Sequence, residues 1–161
     1  MKQIYYYETP IGRIGIAEEE GYITDVILPS SPFDEVCMET ETALLKRAAN
    51  QLIAYLQGER QHFDLPLKPY GTPFRMRVWE ALCTIPYGET RSYKDIARAI
   101  GDEKACRAVG GANNKNPIPI FIPCHRVIGA DGKLVGYGGG MELKMKLLEV
   151  EKIKIRELTE H

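Results

Sequence analysis

Residues 116–127 read Asn-Pro-Ile-Pro-Ile-Phe-Ile-Pro-Cys-His-Arg-Val, and this stretch is the most informative part of the chain. Its three prolines predict an extended segment, because the residue before a proline avoids the helical region. Cys124 follows the third proline, and His125 follows Cys124. A nearby imidazole lowers the pKa of a thiol and favours the nucleophilic thiolate. Adjacency in sequence does not by itself bring the ring onto the sulfur, so a water could bridge the two side chains.

Two short helices are predicted upstream of this stretch. Ser92 is expected to cap the first helix, with Asp95 three residues later forming a capping box. Gly101 is expected to end that helix, and Asp102 to cap a second helix that runs through Val109. A helix, a tight turn and a second helix make the helix-turn-helix pattern, which many unrelated helix pairs share.

The second of these helices combines one arginine, Arg107, with the small residues Gly110, Gly111 and Ala112. Small residues let a backbone approach another surface closely, and an arginine among them could reach into a partner. A helix packed tightly on a neighbouring helix, with Arg107 in solvent, has the same composition. The residues alone leave both interpretations open.

The first part of the chain predicts a small α+β domain. Residues 2–8, 11–17 and 22–28 are β-rich and separated by turn residues, which favours an antiparallel meander. Residues 39–57 then change to helical spacing. Prolines and a glycine cluster between Leu65 and Phe74 and predict a domain boundary. Beyond it, Thr72 and Pro73 suit the start of a helix with one inner face, formed by Met76, Trp79, Leu82 and Cys83.

Charge divides the chain at the same boundary. The 161 residues carry a formal net charge of −1, which argues against a strongly basic nucleic-acid binder. Residues 1–72 hold six basic against eleven acidic side chains, whereas residues 73–161 hold fifteen against eleven. Only the second half is therefore expected to meet a polyanion. The chain has no long apolar run and no signal-peptide core, so we expect a cytoplasmic protein, nuclear if eukaryotic, without membrane contact.

The motif Pro123-Cys124-His125-Arg126-Val127 resembles the active-site motif of the O6-alkylguanine-DNA alkyltransferases. The resemblance extends over residues 73–152 and includes Tyr93, Asn116, the segment 107–112 and the glycine-rich turn at 137–140. It implies an α+β protein with two domains. A ribonuclease H-like sheet and helix would occupy residues 1–68, and a winged helix-turn-helix domain residues 73–157.

The resemblance implies DNA repair by direct damage reversal. Cys124 would accept the alkyl group from O6-alkylguanine, and from O4-alkylthymine, in one irreversible event without a cofactor. His125 would act as the base through a water, and Glu151 would orient it. Leu147 and Leu148 precede Glu151 on one helical face, and an acid on an apolar face needs a partner.

The resemblance also implies that a monomer binds double-stranded DNA through the minor groove. The damaged nucleotide must leave the duplex to reach the thiol. Arg107 would fill the gap in the stack, while Gly110, Gly111 and Ala112 would allow close approach. Tyr93 would help to rotate the neighbouring phosphate and would lie near the flipped base.

Further positions are implied for the base pocket. Tyr137 would donate to guanine N3, and the backbone N–H of Gly138 would contact O6. The carbonyls of Val127 and Cys124 would accept from the guanine amino group. Many relatives have serine where this chain has Gly138. Asn116 would brace the turn before the active-site strand. Lys144 would lie near the pocket, although a solvated helix lysine fits its position equally well.

Three expectations concern groups outside the base pocket. Arg126 is expected to pair with groups between the domains. Cys37 and Cys83 are expected to be buried as small hydrophobic residues. Some relatives hold zinc in the N-terminal domain, but residues 1–72 offer only Cys37 and His62, so we expect no metal.

Three other function classes use some of the same residues. An alkyltransferase-like protein would bind the lesion without transferring it, but those relatives have tryptophan in place of Cys124. A cysteine hydrolase using Cys124, His125 and Glu151 would need an oxyanion hole, which no motif marks. In a winged-helix transcription regulator, the Cys-His pair would be incidental.

Overall fold

The structure, a computed structural model, describes residues 1–129, 132, 137 and 139–153. These form two compact units. The first comprises residues 1–70 together with 117–121, and the second comprises residues 71–116 together with the described residues from 122 onward. The return of residues 117–121 to the first unit was not indicated by the sequence.

The first unit is a four-stranded sheet with one helix. Its strands are β1 (Gln3–Thr9), β2 (Gly12–Glu19), β3 (Tyr22–Ile27) and β4 (Met38–Glu39), in the order β3-β2-β1-β4. The meander β1-β2-β3 is antiparallel, as predicted. The short strand β4 pairs in parallel with β1 and was missed, because two exposed residues carry no periodic pattern.

Helix α1 (Ala43–Leu56) supplies the helical part of the core of this unit. The hydroxyl of Thr42 caps its start by accepting from the Leu45 N–H. Gly58, just beyond its end, adopts a φ of +79°, a conformation that favours glycine. The buried face carries the spacing that the sequence predicted, with Leu45, Ala48, Leu52 and Tyr55 almost fully buried.

Residues 117–121 complete the first unit and are less extended than predicted. The Val26 N–H donates to the Pro117 carbonyl at 2.9 Å. The Phe121 ring meets the Phe63 ring edge-on, with 4.7 Å between centroids. Ile120 has a φ of +76°, so the chain turns there in spite of its flanking prolines. Fixing φ at proline restrains its neighbours but does not prevent a turn between two prolines.

The described part of the second unit contains four α-helices and a two-stranded parallel sheet. The helices are α2 (Pro73–Leu82), α3 (Tyr93–Ala99), α4 (Cys106–Asn114) and α5 (Met141–Val150), and the strands are β5 (Arg91–Ser92) and β6 (Val127–Ile128). Register pairs Arg91 with Val127, so the start of α3 lies beside the end of the Pro-Cys-His-Arg-Val motif. Sequence analysis did not predict this pairing.

The helix caps confirm two predictions and correct one. Thr72 caps α2 with Pro73 in its first turn, and Ser92 and Asp95 form a complete capping box on α3. Asp102 does not cap α4. Helix α4 begins after Ala105 without a side-chain cap, and the Asp102 carbonyl accepts from the Ala105 N–H in the preceding turn.

Helix α2 packs on α4 through Trp79. Its indole Nε1 donates to the Ala112 carbonyl at 2.8 Å. A Cβ on Gly71 would lie 2.4 Å from the Trp79 ring, so only glycine fits there. The predicted inner face of α2 is partly wrong: Met76 and Cys83 are exposed, and Val78 and Ala81 are buried in their place. Cys37 is half-buried, so neither of these two thiols is fully buried as expected.

Across the described part of the chain, no helix has both the length and the apolar character needed to cross a membrane.

Candidate active site

Cys124 opens a single 3-10 turn, Cys124–Arg126, that directly precedes β6. The residue is 4 % exposed. Burial raises the pKa of the Cys124 thiol, because a thiolate is poorly solvated in the interior. Hydrogen bonds with the side chains of Asn116 and Tyr137 and the positive charge of Lys144 lower that pKa. These three groups offset part of the effect of burial, and the net pKa of the Cys124 thiol stays above its ordinary value.

His125 and Glu151 form a fully buried pair. The His125 Nε2 lies 2.8 Å from Glu151 Oε2, and both side chains have 0 % exposure. Glu151 ends α5, one turn after Leu147 and Leu148, which are themselves completely buried. The structure thus brings together the two residues that the sequence predicted as base and orienting acid. A carboxylate on one ring nitrogen fixes the orientation of the imidazole.

Glu151 has two further partners that the sequence did not predict. Arg126 donates to both carboxylate oxygens, from Nε to Oε1 at 2.9 Å and from Nη2 to Oε2 at 3.0 Å. The Gly88 N–H donates to Oε1 at 2.9 Å, and Gly88 has a φ of +81°, which favours glycine at this position. The expectation that Arg126 pairs between the domains is wrong, since these contacts and its bond to the Ile85 carbonyl lie within the second unit.

The balance of charges determines the protonation of His125. Burial lowers the pKa of His125, while the hydrogen bond and negative charge of Glu151 raise it. The positive charges of Arg126 and Lys144 lower it further. The net direction is downward, so the imidazole is neutral at physiological pH and can accept a proton.

Lys144 is a buried cation in the same cluster. It lies on α5 with 0 % exposure, and its Nζ donates to the Val127 carbonyl at 2.5 Å. Burial lowers the pKa of Lys144 to about 8, and the Cys124 thiolate opposes that shift. The sequence left a solvated lysine open. Its spacing from Leu147 and Leu148, three and four residues later, was the signal that it belongs to the buried face.

Two asparagines hold the backbone around the thiol. Asn116, an expected brace, donates from Nδ2 to the Ile122 carbonyl at 2.9 Å. Asn113 was missed by the sequence analysis. It is 1 % exposed on α4 and donates from Nδ2 to the Cys124 carbonyl at 3.3 Å. Its position four residues after the buried Val109 was a usable signal, because a polar side chain on a buried helix face needs a partner.

Helix α4 separates the residues expected to contact DNA into two groups. Arg107 and Gly111 are exposed, and a Cβ on Gly111 would meet nothing within 4 Å. Gly110 is half-buried, and a Cβ placed on it would lie 4.0 Å from the Tyr93 ring. Ala112 is 2 % exposed and packs against α2, so its expected contact with DNA is wrong. Its small size serves helix packing instead.

Tyr93 and Tyr137 line the region of the thiol. Tyr93 is the first residue of α3 and is half-buried. Burial raises the pKa of the Tyr93 hydroxyl, and the nearby Cys124 charge acts in the same direction. Tyr137 is 9 % exposed. The expected contact of the Gly138 N–H lies outside the described residues. Among the described residues, no group of three or more histidines, cysteines or acids could hold a metal ion.

This arrangement supports nucleophilic chemistry at Cys124. A buried thiol is flanked by hydrogen-bond donors and a cation, and an oriented neutral imidazole follows it in the chain. A thiolate formed there is a strong nucleophile toward a carbon bound to a leaving oxygen.

Comparison with known proteins agrees with this geometry. Residues 73–153 match the family described as 6-O-methylguanine DNA methyltransferase, DNA binding domain, and residues 4–69 match its ribonuclease-like domain. A constitutive methylated-DNA–protein-cysteine methyltransferase of Bacillus subtilis is 50 % identical over 157 residues, which cover 93 % of this chain and 95 % of the relative. A methylated-DNA–protein-cysteine methyltransferase of Methanosarcina barkeri is 48 % identical over 95 % of this chain and 100 % of its own.

A solved structure is similar over the same length. The crystal structure of Mycobacterium tuberculosis OGT in complex with DNA superposes with a TM-score of 0.89 at 47 % identity, covering 93 % of this chain and 92 % of that chain.

Proposed function

This chain belongs to the 6-O-methylguanine DNA methyltransferase family and repairs DNA by alkyl transfer to a cysteine, and on that premise we propose that Cys124 is the acceptor. His125 takes the thiol proton through a water, and Glu151 orients His125. The observation that carries this assignment is the fully buried contact of 2.8 Å between Glu151 and His125, the residue that follows the buried Cys124 in the chain. None of the other three cysteines is buried.

The proposed reaction is a direct displacement at the alkyl carbon. The Cys124 thiolate forms the sulfur–carbon bond as the carbon–O6 bond breaks, and the electron pair of that bond goes to O6. The proton taken by His125 returns to the guanine, so the base leaves as ordinary guanine. The product on the protein is a stable thioether, and each molecule therefore acts once. A neutral His125 and a cationic Lys144 both favour the thiolate that this step needs.

The proposed substrate is O6-alkylguanine in double-stranded DNA, together with O4-alkylthymine. A thiol that is 4 % exposed cannot reach a stacked base, so the damaged nucleotide must be flipped out of the duplex. In the pocket, the Val127 and Cys124 carbonyls are suited to accept from the guanine amino group. The Val127 carbonyl accepts from Lys144 Nζ, and a carbonyl oxygen has a second lone pair. The Cys124 carbonyl accepts from Asn113 Nδ2 and from the Val127 N–H, so it would have to share its lone pairs with the guanine amino group.

The exposed face of α4 is the proposed DNA contact. Arg107 projects from it and would fill the space left by the flipped nucleotide, and Gly111 would let the helix approach the minor groove. Tyr93, at the start of α3, lies between this face and Cys124 and would guide the nucleotide inward. We propose that one monomer binds each lesion, and that the protein acts in the cytoplasm, or in the nucleus if its source is eukaryotic.

The test is a stoichiometry measurement with matched thiol variants. The protein is mixed with an excess of duplex containing one O6-methylguanine, and the repaired fraction is followed to completion. We expect one lesion repaired per protein molecule, none with Cys124→Ser, and full repair with Cys83→Ser, which removes an exposed thiol. Repair of many lesions per molecule would contradict self-alkylation, and tight binding without repair would support the recognition-only alternative.

A further inference from the structure

We propose that Arg126 is a positioning residue that holds Glu151 ionised and in place, and thereby keeps His125 in the neutral form that takes the thiol proton. This inference rests on the proposed function, because it concerns the base assigned to Cys124. Arg126 belongs to the Pro-Cys-His-Arg-Val motif, and the sequence had predicted that it pairs with groups between the domains. The proposal gives it a role in the chemistry at Cys124 instead.

The contacts of Arg126 fit this role geometrically. Its guanidinium makes three hydrogen bonds to the Glu151 carboxylate: Nε to Oε1 at 2.9 Å, Nε to Oε2 at 3.1 Å and Nη2 to Oε2 at 3.0 Å. Its Nη1 donates to the Ile85 carbonyl at 2.7 Å, which anchors the fork to the main chain. Oε2 also receives His125 Nε2 at 2.8 Å. The planar fork thus fixes the plane of the carboxylate that orients the imidazole.

The positive charge of the Arg126 guanidinium also affects the protonation of His125. The side chains of Arg126, His125 and Glu151 are 8 %, 0 % and 0 % exposed. With a neutral His125, Arg126 and Glu151 cancel. Protonating His125 leaves a net positive charge in the interior, beside the cation of Lys144, which is unfavourable. Without the Arg126 charge, the buried Glu151 carboxylate would stabilise a protonated His125. A protonated His125 cannot accept the proton of the Cys124 thiol.

The titratable groups around His125 come from several elements. Glu151 and Lys144 face it from α5, and Arg126 and Cys124 belong to its own turn. Tyr87 lies next to the cluster, with the Arg126 guanidinium 5.8 Å from its ring centre and its hydroxyl donating to the Val150 carbonyl. Cys83 interacts with the Arg126 charge from the end of α2. The Arg126 side chain and His125 bind the same carboxylate oxygen of Glu151, Oε2, at 3.0 Å and 2.8 Å.

The experiment compares Arg126→Met, which removes the charge, with Arg126→Lys, which keeps it but loses the fork. The readout is the single-turnover rate constant with free O6-benzylguanine from pH 5 to pH 9, which excludes effects on DNA binding. We expect the acid limb of the Met variant to move about one unit higher in pH, so that its rate falls about tenfold at pH values on that limb and up to about threefold at pH 7. The Lys variant should keep the limb near its original position, with a smaller loss of rate.

The control variant is Arg98→Met. Arg98 is exposed and pairs with Glu103 at 3.1 Å, so this change removes the same charge from the surface. Its profile should match that of the unmodified protein. A merely structural role for Arg126 would lower the reacting fraction or the stability of the Met variant without moving the limb. An unmoved limb in a folded, reactive Met variant would overturn the proposal.

A second measurement does not depend on the variants folding or on activity. Nuclear magnetic resonance of the unmodified protein with labelled histidine follows the His125 ring through the same pH range. We expect a neutral ring at pH 7, titrating below the usual histidine range of about 6.5. A protonated His125 at pH 7 would overturn the proposal even if Cys124 accepts the alkyl group. A neutral His125 in a protein that never alkylates Cys124 would refute the proposed function instead.

Discussion

The cluster around Cys124 and the exposed face of α4 differ in the burial of their charged side chains and in the number of contacts that hold them. Around Cys124, charged side chains are buried and each of Arg126, Glu151 and Lys144 is held by short hydrogen bonds. On the face of α4, Arg107 and Gly111 are in solvent. The first region is preorganised for chemistry, and the second is left open for a partner. Changes in the first region should therefore alter every reaction of the thiol, and changes in the second only reactions that need DNA.

The largest effect is expected for Glu151→Gln. An amide cannot stabilise a protonated His125 and leaves the Arg126 charge buried without its carboxylate, at a cost of about 3 kcal/mol in the free energy of unfolding. The rate of alkyl transfer should fall on the order of 100-fold, equally for duplex DNA and for free O6-benzylguanine. Denaturant unfolding and single-turnover kinetics measure the two effects. Glu149→Gln is a matched control, because Glu149 is exposed on the same helix.

Arg107→Ala is expected to slow the repair of duplex DNA while leaving the reaction of Cys124 with a free base nearly unchanged. Removing the side chain should slow repair of duplex DNA by about tenfold or more, since flipping and unstacking a base requires a few kcal/mol. The reaction with free O6-benzylguanine should change less than about twofold, because Arg107 is exposed and belongs to the other region. Parallel kinetics on the two substrates decide the matter. Equal losses on both would remove Arg107 from the flipping role.

Lys144→Met tests the electrostatics of the buried region through stability. The folded-state pKa of Lys144 is lowered to about 8 from a value of 10.5, so the buried charge opposes folding below pH 8. Between pH 8 and 10.5 the unfolded chain binds the proton more tightly, and this group adds stability as the pH rises. We expect Lys144→Met to gain stability relative to its parent at pH 7, by on the order of 1 kcal/mol, and to lose that advantage by pH 10.

The comparison is best made in the Cys124→Ser background, which removes the thiol that would titrate in the same range. Urea unfolding at the two pH values provides the measurement. A difference between the two proteins that does not vary with pH would mean that Lys144 is not a buried cation.

Gly111→Ala is expected to have the smallest effect. It should increase the stability of the protein and decrease its affinity for duplex DNA. A Cβ at Gly111 meets nothing within 4 Å, so alanine should stabilise α4 by about 0.5–1 kcal/mol. If Gly111 faces the minor groove, the same methyl group should weaken binding to duplex DNA a few-fold, without changing the reaction with the free base. Thermal unfolding and a binding titration test both signs. Unchanged DNA affinity would place the contact elsewhere on α4.

Local patterns in the sequence predicted most of the regular structure. The meander, α1 and the caps of α2 and α3 follow from alternation, helical spacing and capping residues within short windows. The pairing of β4 with β1, the pairing of β5 with β6 and the return of residues 117–121 to the first unit depend on contacts distant in sequence. No local pattern in the sequence indicates such contacts. The turn at Ile120 was missed for the same reason, because it occurs where residues 117–121 join the first unit.

The chemistry of the candidate active site was more predictable than its surroundings. Cys124 and His125 are adjacent, and the spacing of Glu151 from two leucines placed it on a buried face. The partner of Arg126 was predicted wrongly, because many acids in the sequence could pair with an arginine and only the fold brings Glu151 to it. Ala112 was assigned to the DNA face by its size alone, whereas burial against Trp79 explains that size.

The central claim is that the alkyl group moves from DNA to Cys124, and the position of the group after reaction tests it most directly. The protein is reacted with an equimolar duplex carrying O6-methylguanine with an isotopically labelled methyl group, and is then digested for peptide mass analysis. We expect one labelled methyl group per protein, located on Cys124, and no label in Cys124→Ser. Label on Cys83 or another cysteine, or repaired DNA with an unlabelled protein, would contradict the account.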